Sequence, residues 1–334
     1  MGDLATRTLG ANGPSVSAMG LGTMGMSDFY GPADEAEAIA TIRAALDTGV
    51  TLLDTGDFYG MGHNELLLRE ALSNRDRSEV TISVKFGALR DPAGNPTGFD
   101  ARPAATANFL AYSLRRLGTD YIDIYRPARL DPNVPIEDTV GAIADLVEAG
   151  YVRYVGLSEV GAETLRRAHA VHPITDVQLE YSLFSRDIER DVLTAARELG
   201  IGVTAYGVLS RGLLSGRWSR DRELDARDFR ARAPRFQAQN LVANLALADA
   251  LAKVAETKGA TAAQAAIAWV VARGDDIVVL VGARRRDRLT EALGATSLAL
   301  DADDLAEIEQ AVPAIAVAGA RYPEAALERL DSQR

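Results

Sequence analysis

Apolar runs and amphipathic stretches alternate along most of this 334-residue chain. Short runs rich in apolar and β-branched residues predict strands at 17–24, 51–54, 80–86, 121–125, 152–157, 176–179, 202–206 and 277–281. Between them, helical periodicity marks 34–48, 64–73, 104–117, 136–149, 162–170 and 188–199. Two further helices, 241–258 and 262–273, precede the eighth strand, and 286–293 follows it. Gly49, Gly150 and Gly200 stand where three of these helices should stop. Eight strands in β-α alternation predict a closed (β/α)₈ TIM barrel, with residues 1–334 as one domain. An open doubly wound sheet alternates too and is the weaker expectation.

Two interruptions break the rhythm. Residues 6–9 and 15–17, around Gly13-Pro14, predict an N-terminal β-hairpin capping the barrel floor. After the seventh strand, residues 211–240 form a long polar stretch rich in Arg and Asp, the kind of loop that is usually either a functional lid or disordered. The tail from Val312 onward is irregular and either covers the barrel mouth or frays.

Chemistry gathers at the predicted strand ends, the face on which such barrels place their active sites. Asp54, Lys85, Ser158, Gln178 and Tyr206 all fall there, and Tyr59 lies in the loop after the second strand. A lysine closing an apolar strand is costly to bury without a partner. The expectation is that Asp54 holds the Lys85 ammonium, which lowers the Tyr59 pKa and makes the phenol a proton donor near neutral pH. Taken singly, each has a bland reading: a helix cap, half-buried packing or a lysine snorkelling to solvent. Convergence is what carries the argument.

Composition narrows the alternatives. A net charge of −11 argues against a general nucleic-acid surface, and the absence of cysteine excludes disulfides and thiolate chemistry. The three histidines, His63, His169 and His172, show no metal-binding spacing, so no metal is expected. Residues 1–7 lack a long apolar segment and no run of about 18 apolar residues occurs, so a soluble cytoplasmic protein is expected.

Several ordered motifs carry a family resemblance over nearly the whole chain. They are Gly20-Leu-Gly-Thr-Met24, Leu53-Asp54-Thr-Gly-Asp-Phe-Tyr59-Gly60, Ser83-Val-Lys85, Gly156-Leu-Ser158-Glu159, Gln178-Leu-Glu-Tyr181-Ser182, Thr204-Ala-Tyr206 and Gly282-Ala-Arg284 through Arg288. In these the sequence resembles the aldo-keto reductases. The resemblance implies an NADPH-dependent oxidoreductase that reduces an aldehyde or ketone reversibly, with Tyr59, Lys85 and Asp54 catalytic. It implies that Ser158 and Gln178 bind the nicotinamide carboxamide and that Tyr206 stacks on the ring. Gly22, Thr23, Met24 and Asp54 would line the cofactor, and Leu209, Arg211, Gly212 and Leu213 would begin a loop clamping the pyrophosphate. Gly282, Arg284, Arg288 and Ala292 would hold the adenosine phosphate, with Arg284 and Arg288 favouring NADPH over NADH. Substrate would meet Met24, Tyr59, Phe86, Arg126 and Ala128. The mouth residues Met24, Phe29, Tyr30, Phe58, Phe86 and Trp218 suggest an apolar, partly aromatic pocket.

One departure matters most. The family's fourth strand usually ends in a histidine before Arg-x-Asp-Pro, whereas here it runs Tyr125-Arg126-Pro127-Ala128-Arg129-Leu130-Asp131-Pro132. Alanine can neither orient a carbonyl nor donate a proton. The expected consequences are room for a bulkier carbonyl, or a water in place of imidazole, with Arg126 or His63 as substitute donors. Glu159, where many members have asparagine, and Ala292 are smaller departures. A second reading is an NADPH-binding, weakly active regulatory or interaction protein. A third makes Lys85 a Schiff-base lysine. The partner common to the enzymatic readings is a small carbonyl or alcohol, and the oligomeric state is left open.

Overall fold

The computed structural model describes residues 4–27, 29–225 and 227–333. An antiparallel hairpin, β1 (Thr6–Thr8) and β2 (Ser15–Ser17), precedes β3 (Met19–Gly22), β4 (Leu52–Gly56) and β5 (Thr81–Phe86). A second hairpin, β6 (Ala88–Arg90) with β7 (Pro96–Phe99), follows β5 and had no clear signature in the hydrophobic pattern. Then come β8 (Ile122–Pro127), β9 (Val152–Ser158), β10 (Ile174–Glu180), β11 (Gly202–Tyr206) and β12 (Ile277–Gly282). The strands β3, β4, β5, β8, β9, β10, β11 and β12 pair in parallel and close into a barrel. This is the expected (β/α)₈ TIM barrel.

Helices α1 (Glu35–Asp47), α2 (His63–Ala71), α3 (Pro103–Leu117), α4 (Ile136–Glu148), α5 (Ala162–Val171) and α6 (Val192–Leu199) connect the first seven barrel strands. Helices α7 (Ala238–Thr257) and α8 (Ala262–Val271) lie between β11 and β12. Helices α9 (Arg286–Leu293), α10 (Ala302–Ala311) and the short α11 (Glu324–Leu327) complete the chain. Local chemistry marks the starts: Asp34 accepts from the Glu37 N–H at 2.9 Å, and Thr261 with Gln264 forms a reciprocal capping box on α8. Among the described residues no helix is long and apolar enough to cross a membrane.

Alternation along each strand divides the core in two. Outward residues such as Leu53, Ile82, Val84, Phe86 and Tyr125 join the layer beneath the helices. Inward residues Leu52, Ile124, Val278 and Leu280 meet Leu9 and Val16 of the hairpin region, which plugs the barrel floor as expected. The plug sits so close that a Cβ at Gly202 would lie 2.6 Å from the Gly10 nitrogen. The segment Gly20-Leu-Gly22-Thr-Met-Gly25 has the spacing of a dinucleotide-binding fingerprint. In the fold, however, Gly20 is inside β3, and a 3₁₀ turn (Met24–Met26) follows instead of a helix. The barrel, not that spacing, decides the fold class.

Candidate active site

The constellation at the strand ends assembles as expected. Asp54 and Lys85 point inward from β4 and β5 and form an ion pair, their side chains only 7% and 5% exposed. The second carboxylate oxygen of Asp54 accepts from Ser83 Oγ at 3.0 Å and from Gln178 Nε2 at 2.8 Å. Three partners on two other strands, Ser83 and Lys85 on β5 and Gln178 on β10, therefore compensate a charge that burial would otherwise penalise. Tyr59 opens a tight turn (Tyr59–Gly62) after β4, and the Lys85 ammonium lies 5.1 Å from its ring centre. Phe58 and Phe29 pack edge-on against that ring at 4.7 and 6.0 Å.

The electrostatics correct one expectation. Tyr59 is not brought down toward neutrality: burial, and then the Asp54 carboxylate, push its phenol well above the ordinary value of 10.0. The cation that acts against this rise is Arg129. Burial also lowers the Lys85 ammonium, with Asp54 opposing that shift. Tyr59 therefore remains a neutral hydrogen-bond donor across the physiological range. Its proton is still transferable to an alkoxide, whose basicity approaches that of hydroxide, with water at about 15.7.

Two proposed substrate contacts lie elsewhere. Phe86 is fully buried and stacks on Tyr125 at 4.3 Å, because alternation along β5 sends it outward, opposite to Ser83 and Lys85. Arg126 does point inward but lies below the Asp54–Lys85 pair. Its guanidinium binds Asp176 Oδ2 at 2.9 Å, Ser83 Oγ at 2.9 Å and the Leu157 carbonyl at 3.3 Å. Gly156 makes room for it, since a Cβ there would fall 3.1 Å from Arg126 Cζ. Arg126 is thus a buried brace, not a donor to substrate. His63 is no substitute either: its ring meets Ser27 Oγ at 2.9 Å and Glu35 at 3.4 Å, at the N-terminus of α2. Met24 is half-buried at the rim, and Ala128 is buried just beyond β8 with its N–H donated to the Phe86 carbonyl.

Residues expected around a dinucleotide divide in a similar way. Ser158 and Gln178 are paired across β9 and β10, and Tyr206 ends β11 beside Glu180. Gly22 and Gly282 pair across β3 and β12, and a Cβ at either would meet only a backbone carbonyl at ordinary contact distance, 3.8 and 3.9 Å. The hydroxyl of Thr23 is committed to the Asp54 carbonyl at 2.8 Å, so it supports the site from behind. Leu213 and Ala292 are buried in the core, so neither offers its side chain to a ligand. Leu209, just before the turn (Ser210–Ser215) that opens the long loop, and Gly212 within it are half-buried. The Arg211 guanidinium does not project over that site. It binds Glu180 Oε2 at 3.1 Å and the Arg321 carbonyl, and lies 4.3 Å over the Tyr322 ring.

Farther along the mouth, Arg284 donates to the Tyr30 and Pro32 carbonyls at 3.2 Å and makes no ion pair among the described residues. Arg222 stacks on Trp218 at 4.5 Å and likewise has none. Burial lowers both guanidinium pKa values, and the Arg230 charge lowers each further. Arg288 reaches Asp287 and Glu291 only at 3.7 and 3.6 Å. Crowded, under-paired arginines of this kind suit a phosphate.

Comparisons with known proteins agree with the barrel fold. The model of the Aldo/keto reductase family matches residues 18–313. The chain belongs to the aldo/keto reductase family. This reductase is accordingly an oxidoreductase, in a family that is generally NAD(P)H-dependent. It is 29% identical to the glycerol dehydrogenase AKR11B4 from Gluconobacter oxydans, over 92% of this chain and 96% of that one, with a TM-score of 0.84. It is 26% identical to the aldo-keto reductase AKR11C1 from Bacillus halodurans in its holo form, over 93% and 97%, with a TM-score of 0.77. The thermostable aldo-keto reductase Tm1743, solved with the inhibitor epalrestat, is 27% identical over 92% and 100%, with a TM-score of 0.74.

In this reductase the tail covers the mouth, the first of the two expected outcomes. Arg321 forms a two-pronged ion pair with Glu159 (2.9 and 2.6 Å), and Ser332 Oγ donates to the same carboxylate at 2.7 Å. The Tyr206 hydroxyl donates to Glu159 Oε1 at 2.9 Å and lies 3.3 Å from the Tyr322 hydroxyl. Glu159, which stands in place of the family's usual asparagine, therefore anchors the tail. Pattern reading missed Arg129, Arg222, Arg321 and Tyr322. The first had a signal, its position next to Ala128. The Arg321–Glu159 pair, 162 residues apart, had none.

Proposed function

We propose that this reductase transfers hydride from NADPH to an aldehyde or ketone, and reverses the step on the alcohol. The observation that carries the proposal is the buried triad of Tyr59, Lys85 and Asp54 at the strand ends, beside Ser158, Gln178 and Tyr206. A reduced nicotinamide bound there supplies the hydride. Ser158 and the amide of Gln178 would hold its carboxamide, and Tyr206 would pack against its ring. The under-paired Arg284 and Arg222 support the preference for the 2′-phosphate of NADPH. As the carbonyl carbon gains hydride, its oxygen becomes strongly basic and takes the Tyr59 proton. Lys85 then faces the phenolate, held in place by Asp54, so negative charge on Tyr59 is met by a fixed cation. The surrounding rings exclude water from that transfer.

The test is NADPH oxidation against a panel of carbonyls, with Tyr59→Phe as the control. Removing the proton donor should cost about 10²–10⁴-fold in turnover while NADPH binding is kept. A Tyr59→Phe protein as active as the wild type would overturn the mechanism.

A further inference from the structure

Ala128 leaves the carbonyl oxygen without the imidazole that the family usually provides, and the residue after it lies at the reacting centre. Arg129 sits two positions beyond the end of β8, between β5, which carries Lys85, and β9, which carries Ser158. Its Nη1 folds back onto the Ala128 carbonyl at 2.6 Å and reaches Ser158 Oγ at 3.4 Å. The guanidinium thereby stands beside Ser158, and its charge reaches the Tyr59 phenol.

Arg129 shares with Arg284 and Arg222 the lack of a fixed counter-ion among the described residues, and of the three it is the one beside Ala128 and Ser158. Most other enclosed arginines in the barrel mouth have a carboxylate: Arg126 pairs with Asp176, Arg211 with Glu180, Arg230 with Asp228 and Arg321 with Glu159. Arg129 makes no ion pair among the described residues. Burial disfavours its charge, while Tyr206, Tyr322 and then Glu159 act on it through space and raise its pKa overall. None of them is a direct ion-pair partner, and both oxygens of the Glu159 carboxylate are taken by Arg321. Enclosing a guanidinium without a partner is unfavourable unless an anion arrives. The anion that forms at this place during turnover is the alkoxide. The charge is also felt at the proton donor, because Arg129 is the leading cation opposing the rise of the Tyr59 pKa.

We infer that Arg129 is a catalytic residue, donating a charged hydrogen bond to the carbonyl oxygen of the substrate in place of the histidine replaced by Ala128. This rests on the reductase reading above. As the carbonyl carbon accepts hydride, the C=O π pair moves onto oxygen. The Tyr59 O–H bond breaks, its proton joins that oxygen, and Arg129 keeps all of its own protons. Solvent then reprotonates the phenolate. Guanidinium serves here as a fixed electrostatic donor, the role that oxyanion-hole groups play.

The experiment compares wild type, Arg129→Ala and Arg129→Gln by steady-state reduction of a neutral aldehyde and of a 2-oxo carboxylate. It adds NADPH fluorescence titration, thermal melts and chemical rescue by guanidinium chloride against sodium chloride. The expected result is a fall in kcat of about 10²–10³-fold with both substrates, as for an oxyanion-hole donor. NADPH affinity should stay within about twofold. Millimolar guanidinium, but not sodium, should restore about tenfold or more to Arg129→Ala. Unchanged kcat, a loss not rescued by guanidinium, or a loss confined to NADPH affinity would each overturn the inference. A loss confined to the 2-oxo carboxylate would also overturn it, by making Arg129 an anchor for a substrate anion. Arg129→Gln, a shorter but polar and neutral variant that keeps the aliphatic stem, covers the case in which Arg129→Ala fails to fold. If wild type itself oxidises no NADPH with any carbonyl, the reductase reading fails first, which separates the two outcomes.

Discussion

Replacing Arg321 with methionine isolates what the tail clamp contributes. The pair it breaks is enclosed: the Arg321 and Glu159 side chains are 6% and 0% exposed. Burial alone would raise the Glu159 carboxyl, but the Arg321 charge and hydrogen bonds overcome this and hold it at about 2, against 4.5 ordinarily. At 1.36 kcal/mol per pKa unit, that depression corresponds to about 3 kcal/mol in favour of the ionised form. Because the folded pKa is depressed, this contribution is present above about pH 4.5 and is lost as pH falls toward about 2. In Arg321→Met, Tyr206, Ser332 and the Glu180 N–H still donate to the carboxylate, but no cation faces it directly. Removing one partner of a buried pair costs about 3–5 kcal/mol, which agrees with the first figure. Much of that cost should appear as local undocking of the tail. The sensitive probe is hydrogen exchange at the Ser332 amide, which donates to the Glu159 carbonyl at 3.2 Å. At pH 7 its exchange should accelerate about 10²-fold, with urea melts reporting any global loss. The double variant Glu159→Gln/Arg321→Met should recover part of the protection, because no uncompensated charge remains. Protection within about threefold of wild type in Arg321→Met, or a cycle coupling below about 1 kcal/mol, would refute the reasoning.

Two further outcomes follow from the charge distribution. Burial, and then the neighbouring Glu65, lift the Asp57 carboxyl to about 7, so the folded state holds a proton that the unfolded chain releases near 3.8. Stability should therefore fall as pH rises from about 4 through about 7 and stay level above. Asp57→Asn should remove that slope and stabilise the protein at pH 8 by up to about 4 kcal/mol, read from urea midpoints at several pH values. If the slope persists in the variant, Asp57 is not its source. Arg284→Gln should weaken NADPH binding by about 10–100-fold, the worth of a charge-assisted hydrogen bond, and leave NADH nearly unchanged in fluorescence titrations. Equal weakening of both cofactors would remove Arg284 from the 2′-phosphate.

Much of this protein is legible in one dimension because its determinants are local. The barrel follows from strand and helix periodicities that repeat eight times, and Asp54, Tyr59 and Lys85 lie at ends of runs that alternation alone can place. What failed were judgements about direction. Phe86 is one residue from Lys85, yet the strand period of two sends it under the helices. Arg126 looked like a spare donor, but its fork belongs to Asp176 and Ser83 on other strands. The pKa of Tyr59 also depended on enclosure, which no motif encodes, so burial and Asp54 reversed its expected shift.

The amino-acid sequence by itself determined the (β/α)₈ barrel, the family and the placing of Asp54, Tyr59 and Lys85 at or just past strand ends, because each rests on patterns within short runs of the chain. Only the tertiary structure decided which arginines are paired and which are not. It closed Arg321 onto Glu159 from 162 residues away and left Arg129, beside Ala128, without an ion pair among the described residues. Counter-ion pairing is a property of distances across the fold, and charge in a low-dielectric mouth is governed by those distances.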